Sequence, residues 1–160
     1  MTRRPKVMAI ASAGGHFVQL LRLMPAWEGC ESIVVTTDAL YEREVTEAAT
    51  SLGQMPPQFA VVTEANRWQK IRLLKSALDI IRLMLRYRPS AVVTTGAAPG
   101  YIALRLASLA GLRTVWVDSI ANSEEMSLSG RKAARHADLW LTQWHHLARP
   151  EGPFHRGSVV

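Results

Sequence analysis

The stretch "ASAGGHFVQLLRL", residues 11–23, follows the first apolar run of the chain and decides how the fold begins. Residues 7–11 are apolar and lead into glycines, a pattern that predicts a short buried strand. From Phe17 onwards, apolar residues recur at helical spacing until Pro25 ends the pattern. The stretch therefore joins a strand to a helix through a loop that holds two glycines and a histidine.

Beyond this stretch, the chain alternates between strand-like and helix-like segments. Short apolar or β-branched runs predict further strands at residues 32–37, 59–63, 91–95, 114–117 and 139–142. Helical patterns lie between them, at residues 41–52, 67–87, 99–110 and 127–136. Because the strand runs lack the polar alternation of half-exposed strands, we predict an α/β fold: a single Rossmann-like, doubly wound parallel sheet with right-handed crossovers.

Length and charge limit the possible classes of protein. The 160 residues suit one domain, expected over residues 1–149, followed by a loose polar tail at 150–160 that could contact a partner. The net charge of +6 attracts nucleic acid, anionic lipid or phosphorylated substrates. No nucleic-acid-binding motif occurs, so we expect no nucleic-acid partner. The single cysteine, Cys30, indicates a reducing compartment, and no apolar run is long enough to predict a membrane span.

The glycine loop at residues 12–16 predicts an anion site. A helix start offers free N–H groups, and glycines let a ligand approach the backbone, although a tight turn that binds nothing is the alternative. A strand order of 3-2-1-4-5 would bring this loop beside residues 96–100, at the carboxyl edge where ligands bind. A dinucleotide site is disfavoured because the G-x-G-x-x-G pattern fails at His16 and Gln19 when it begins at Gly14. Asp38, near the end of the second predicted strand, keeps that alternative open.

His16 has two possible roles at this helix start. A helix N-terminus disfavours a charged imidazole, so a neutral ring could accept a proton or bind a substrate hydroxyl. A half-buried histidine that only closes the loop is the other interpretation. The residues alone leave both open.

Several motifs together resemble a known family. The loop at 12–16 is similar to the glycine-glycine-histidine loop of MurG-type glycosyltransferases, which act on lipid intermediates. Residues 115–144 resemble the acceptor-side (asparagine-linked glycosylation 14-like) subunit of two-chain UDP-N-acetylglucosamine transferases and its bacterial exopolysaccharide relatives. The motifs are Asp118-Ser119, Ser127-Leu128-Ser129-Gly130, Ala137-Asp138 and Gln143-Trp144. The chain departs from the family pattern at Asp118, where Glu is usual, and at Asn122, where a basic residue is usual.

The resemblance implies half of a GT-B enzyme, equivalent to its N-terminal, acceptor-binding domain. A separate donor-binding chain would complete a heterodimer and hold the nucleotide sugar, with no cofactor besides this donor. The pair would add the sugar to a polyprenyl-pyrophosphate-linked saccharide on the cytoplasmic face of the plasma membrane, in exopolysaccharide or capsule synthesis. A non-catalytic membrane adaptor and a free-standing nucleotide-binding enzyme are the alternatives.

Particular residues are expected to serve this reaction. His16 is the candidate base, and Asp118 would orient a sugar hydroxyl or act as the base instead. The expected acceptor-binding residues are Ser12, Gly14, Gly15, Gly96 and Ser119. No metal is expected, because the chain has no Asp-x-Asp pair and the adjacent His145 and His146 would point in different directions on a helix.

The longest predicted helix carries an apolar face and a basic stripe. The apolar face comprises Ile71, Leu74, Leu78, Ile81 and Leu85 and is expected to lie in the core. The basic stripe comprises Arg72, Lys75, Arg82 and Arg86. This stripe could rest on anionic lipid or be a solvated face, and the resemblance favours lipid.

Overall fold

The computed structural model describes residues 4–159 as one seven-stranded, all-parallel sheet in the order β3-β2-β1-β4-β5-β6-β7. The strands are β1 Lys6–Ile10, β2 Glu31–Thr36, β3 Gln58–Val61, β4 Ala91–Thr94, β5 Arg113–Val117, β6 Leu139–Thr142 and β7 Phe154–His155. The helices are α1 Gly15–Arg22, α2 Glu42–Ser51, α3 Lys70–Tyr87, α4 Ala97–Leu109 and α5 Leu128–Ala133. The predicted α/β fold and the predicted order of the first five strands are confirmed.

Successive side chains of β1 point to opposite faces of the sheet, and each face has its own core. Val7 and Ala9 pack with Phe17 of α1 and Val45 of α2. Met8 and Ile10 pack on the other face, where the cluster includes Ile80 of α3 together with Ala103 and Ala107 of α4. Covering both faces buries the whole strand, and this explains why its sequence is continuously apolar.

The strand order reverses at β1, which lies between β2 and β4. Ile10 is in register with Val35 on one side and Thr94 on the other. The loops after β1 and β4 therefore start next to each other at the carboxyl edge of the sheet, as predicted for a ligand crevice.

The tail predicted to be loose is instead part of the sheet. Phe154 and His155 form β7, in register with Leu141 and Thr142 of β6. Beyond the strand, the N–H of Val159 donates to Oε1 of Gln143 at 2.9 Å. A two-residue strand is too short to produce a period in the sequence, so only its pairing with β6 reveals it. The predicted bounds of the domain and the tail, residues 1 and 160, lie outside the described residues.

The apolar face of α3 that was expected in the core is exposed. Ile71 is 86% exposed and Leu85 71%, whereas the buried residues of the helix are Ser76 and Ile80. The small residues Ala103 and Ala107 of α4 share a core cluster with Ile80, so α3 turns its Ser76 and Ile80 side towards α4. Apolar residues occupy most of the circumference of α3, which is why their spacing alone selects the wrong face. No helix within residues 4–159 is long and apolar enough to cross a bilayer.

We expect Gly100→Ala to destabilise the fold. A Cβ atom at this position would collide with Oγ1 of Thr94, which also accepts the N–H of Gly96 at 3.1 Å. Overpacking of this kind costs about 1–3 kcal/mol of unfolding free energy, measurable by urea denaturation. Gly15→Ala is the control, because nothing lies within 4 Å of its Cβ position, and its unfolding free energy should change by less than about 0.5 kcal/mol. Equal losses from the two variants would contradict this account.

Candidate functional site

The loop after β1 presents two backbone amides at the start of α1. Gly14 has φ 93°, and its carbonyl accepts from Phe17 N at 2.9 Å and from Val18 N at 3.1 Å. The N–H of Gly14 donates to the hydroxyl of Tyr41 at 3.2 Å. The N–H groups of Gly15 and His16 precede Phe17 N, the first donor of the helix, so they are placed to meet an anion.

The His16 ring is fixed by the loop after β4. Its Nδ1 lies 2.9 Å from the carbonyl oxygen of Thr95, and the hydroxyl of Thr95 donates to the carbonyl of His16 at 2.6 Å. A carbonyl oxygen only accepts, so Nδ1 carries the proton of the neutral ring. The lone pair then lies on Nε2, which makes this nitrogen a possible proton acceptor.

The contact between the His16 ring and the loop after β4 requires a glycine at position 96. Its φ is 122°, and a Cβ atom there would lie 3.0 Å from Cε1 of His16 and 3.7 Å from the Trp116 ring. The next residue, Ala97, has φ 63°, a left-handed conformation that costs a non-glycine residue about 1–3 kcal/mol and is concentrated at functional sites. The starts of α1 and α4 therefore meet across the His16 ring.

The carboxylate of Asp118 is buried, only 2% exposed, and saturated with hydrogen bonds. Oδ1 accepts from Trp116 Nε1 at 3.1 Å and from the Ser127 hydroxyl at 2.6 Å. Oδ2 accepts from Asn122 Nδ2 at 3.2 Å and from the N–H of Ser127 at 2.8 Å. A Cβ atom at Gly130 would lie 2.5 Å from Oδ1, so the glycine is needed for this packing. Asp118 therefore holds the segment from β5 to α5 in place.

Two buried glutamines connect α1 to the loops after β5 and β6. Gln19 Nε2 donates to the hydroxyl of Ser119 at 3.1 Å and to the carbonyl of Gly15 at 3.2 Å. Gln19 Oε1 accepts from Gln143 Nε2 at 2.7 Å and from Ile120 N at 2.9 Å. All of the hydrogen-bonding capacity of the Gln19 amide is used, so this residue sets the spacing between the loops.

The residues predicted for the site occupy three different places. Gly15, Gly96 and His16 lie together at the meeting of α1 and α4, and Ser12 is half-buried two residues after β1. Ser119 is buried beneath α1 and already accepts from Gln19 and from Ala121 N, at 3.1 and 3.3 Å. The amide of Gly14 faces Tyr41 and not open space.

The family motifs also separate by position. Trp144 Nε1 donates to the carbonyl of Ile120 at 2.8 Å, so Gln143 and Trp144 both fasten the loop after β5. Asp138 lies at the opposite edge, where its Oδ2 accepts the N–H of Thr114 near the start of β5 at 2.8 Å. The motifs at 118–119, 127–130 and 143–144 therefore lie at the carboxyl edge of the sheet, near the candidate site. The motif Ala137-Asp138 instead ties β6 to β5 at the opposite edge.

Sequence reasoning did not identify Gln19, Thr95 and Tyr41 as residues of this site. Gln19 had a usable signal, because it is a polar residue within the apolar pattern of α1. Thr95 acts through both its backbone carbonyl and its hydroxyl, and Tyr41 acts from another helix start, so neither produces a recognisable spacing in the sequence. Within residues 4–159, no three His, Cys, Asp or Glu side chains converge as metal ligands would.

The fold first defines a class: a single Rossmann-like α/β lobe built on one parallel sheet. MurG from Acinetobacter baumannii aligns with 98% of this chain at a TM-score of 0.72 and 15% identity. UDP-N-acetylglucosamine 2-epimerase from Methanocaldococcus jannaschii aligns with 86% of this chain at a TM-score of 0.65 and 11% identity. The chain spans 46% of that MurG and 39% of that epimerase, and at these identities the likeness shows the fold alone.

The sequence is similar to the UDP-N-acetylglucosamine transferase subunit ALG14. The protein from Eremothecium gossypii is 28% identical over 172 aligned positions, which cover 89% of this chain and 74% of the relative. The protein from Yarrowia lipolytica is 24% identical, over 94% of this chain and 80% of the relative. No family model matches the chain. The resemblance drawn from the motifs is confirmed, and the comparisons indicate a glycosyltransferase subunit.

We expect Gln19→Leu and Gln143→Leu to be strongly coupled. Either single variant leaves buried partners unpaired, including Ile120 N or the carbonyl of Asp118, and should lower the unfolding free energy by about 1–3 kcal/mol. The double variant should lose less than the sum, with a coupling of about 0.5–3 kcal/mol in a urea-denaturation cycle. Gln58→Leu, at an exposed position, serves as the control. Its effect on the unfolding free energy should simply add to that of Gln19→Leu. Simple additivity of Gln19→Leu and Gln143→Leu would contradict the paired arrangement.

Proposed function

We propose that this chain is the acceptor-binding subunit of a bacterial two-chain glycosyltransferase. The pair transfers a sugar from a nucleotide sugar to a polyprenyl-pyrophosphate-linked saccharide, in exopolysaccharide or capsule synthesis. The observation that carries the proposal is the His16 ring, held between two glycine loops with its Nε2 lone pair available. The similarity to ALG14 subunits supports the reaction class.

The proposal includes a second, donor-binding chain. This chain forms one Rossmann-like sheet that aligns with 46% of MurG, and the proposed partner supplies the second lobe. The relatives are themselves named as subunits. In the heterodimer the partner holds most of the nucleotide sugar, which is a substrate, and no further cofactor is required.

In the proposed mechanism, His16 acts as the general base in a direct displacement. Nε2 takes the proton of the acceptor hydroxyl as its oxygen bonds to the anomeric carbon, and the bond to the nucleotide diphosphate breaks with inversion. Thr95 keeps the ring oriented, because its carbonyl accepts from Nδ1 before and after the proton moves. The amides of Gly15 and His16 face the diphosphate of the lipid acceptor.

Asp118 is proposed to position the site and not to accept the proton. Its two oxygens receive four hydrogen bonds, so taking up a proton would break one of them. Ser119 and Gly14 support the loops through Gln19 and Tyr41, whereas Gly96 packs against the His16 ring.

The exposed face of α3 supports peripheral attachment to the cytoplasmic face of the plasma membrane. Ile71, Leu74, Leu78, Ile81 and Leu85 form an apolar stripe on the surface of the helix. Arg72, Lys75, Arg82 and Arg86 are exposed around the stripe. An apolar face that penetrates the interface, surrounded by cations that meet anionic headgroups, is typical of helices that lie on membranes.

Replacement of His16 tests the catalytic role. We expect His16→Ala to lower sugar transfer by at least tenfold in the complex with the donor-binding chain, because the base is lost while the fold and partner binding remain. The measurement is transfer of labelled sugar to a polyprenyl-pyrophosphate acceptor, with complex formation followed by gel filtration. His145→Ala, which removes an exposed histidine, should transfer at the normal rate. Unchanged transfer by His16→Ala would favour a non-catalytic membrane adaptor.

A second prediction concerns the stripe on α3. The double variant Ile71→Glu, Leu78→Glu should weaken binding to phosphatidylglycerol-containing vesicles by at least about tenfold, because each apolar side chain buried in the interface contributes more than about 1 kcal/mol. Leu40→Glu is a matched control, since Leu40 is 87% exposed and precedes α2 on the other face of the sheet. Vesicle flotation measures the effect. Membrane attachment through α3 would be refuted if vesicle binding depended neither on the stripe residues nor on anionic lipid.

A further inference from the structure

A groove of 580 Å³ lies between α3, α4 and α5. Its lining is mainly apolar, with Leu73 and Ala77 from α3, Ile102 and Leu106 from α4, and Leu128 from α5. The volume falls within the range of about 300–1,000 Å³ that small-molecule sites occupy. The groove is distinct from the outward-facing stripe of α3 and shares only Leu74 with it.

Cations surround this apolar lining. Arg67, Arg105 and Lys132 lie on the rim, and the ion pairs found within residues 4–159 use none of them. Arg105 and Lys132 also line an adjoining cleft of 670 Å³, to which Arg131 and Arg135 contribute. Glu125 pairs with Arg131 at 2.7 Å, so this cleft keeps a net positive charge. Apolar walls with a cationic rim match an amphiphile that has an anionic head.

One end of the groove borders the candidate acceptor site. Ala98 lines the groove and lies two residues after Gly96, against which the His16 ring packs. Leu128 and Ser129 line it from the other side and directly follow Ser127, which is bonded to Asp118. If the anionic head of an amphiphile bound at the glycine loops, its apolar part would therefore reach this end of the groove.

The geometry points to this groove as the site for the first isoprene units of a polyprenyl diphosphate, drawn out of the bilayer. The assignment of an isoprenoid rests on the proposed function. The diphosphate lies between the amides of Gly15 and His16 and the rim cations. The isoprenoid then lies along the groove and runs towards the exposed stripe of α3, which lies against the membrane. The groove thus selects the acceptor by its lipid, while the site at His16 acts on its sugar.

The test measures the binding of farnesyl diphosphate to the full chain by calorimetry, in detergent-free buffer. Farnesyl diphosphate should bind at least tenfold more tightly than inorganic pyrophosphate. Leu74→Asp places a charge in the groove at a position that is 63% exposed, and it should weaken farnesyl diphosphate binding at least tenfold. Leu40→Asp, at a position that is 87% exposed and lies outside both the groove and the stripe, should bind normally. Arg105→Glu should weaken binding of farnesyl diphosphate but not of farnesol.

Three results would overturn the proposal. These are equal affinities for farnesyl diphosphate and pyrophosphate, equal losses from Leu74→Asp and Leu40→Asp, and competition by dioctanoyl phosphatidylglycerol as effective as farnesyl diphosphate itself. The assay needs neither the partner chain nor sugar transfer. A chain that binds farnesyl diphosphate in the groove but supports no transfer would contradict the proposed function alone, and transfer without such binding would contradict only the groove.

Discussion

The contact between the His16 ring and the loop after β4 is the constraint on which the site depends. The imidazole packs where a side chain at Gly96 would otherwise stand, and its Nδ1 proton is held by the carbonyl of Thr95. One interaction therefore sets the tautomer, the ring orientation and the distance between the starts of α1 and α4. It exists because β1 and β4 are neighbours, which places two helix N-termini at one edge of the sheet.

Beneath this contact, buried polar groups hold the surrounding loops. The Gln19 and Gln143 amides join α1 to the loops after β5 and β6, and the Asp118 carboxylate organises the turn into α5. Such groups are costly to bury unless every donor and acceptor is paired, and here the pairing is dense. A network of this kind specifies one arrangement of the loops, so the motif residues act mainly as the frame of the site.

The molecule has two further features on one side of the sheet. The exposed surface of α3 is apolar and cationic, and the groove between α3, α4 and α5 lies beside it. Both arise because α3 turns its Ser76 and Ile80 side towards α4, while Ile71, Leu74 and Leu85 face outwards. The same packing therefore explains an exposed apolar helix face, which a monomeric protein does not normally keep without a use.

The amino-acid sequence by itself determined the alternation of strands and helices, the parallel sheet, and the two glycine loops, because periodicity and glycine position are local properties. It also brought His16 to attention through its place at a helix start. It misjudged α3 and the C-terminal segment, since apolar residues around most of a helix do not select a face, and a two-residue strand has no period. Only the tertiary structure decided that Asp118 is enclosed, that Gln19 pairs with Gln143, and that Thr95 fixes the His16 ring. These contacts join residues up to 124 positions apart, and hydrogen bonds at that separation leave no pattern in the order of the residues.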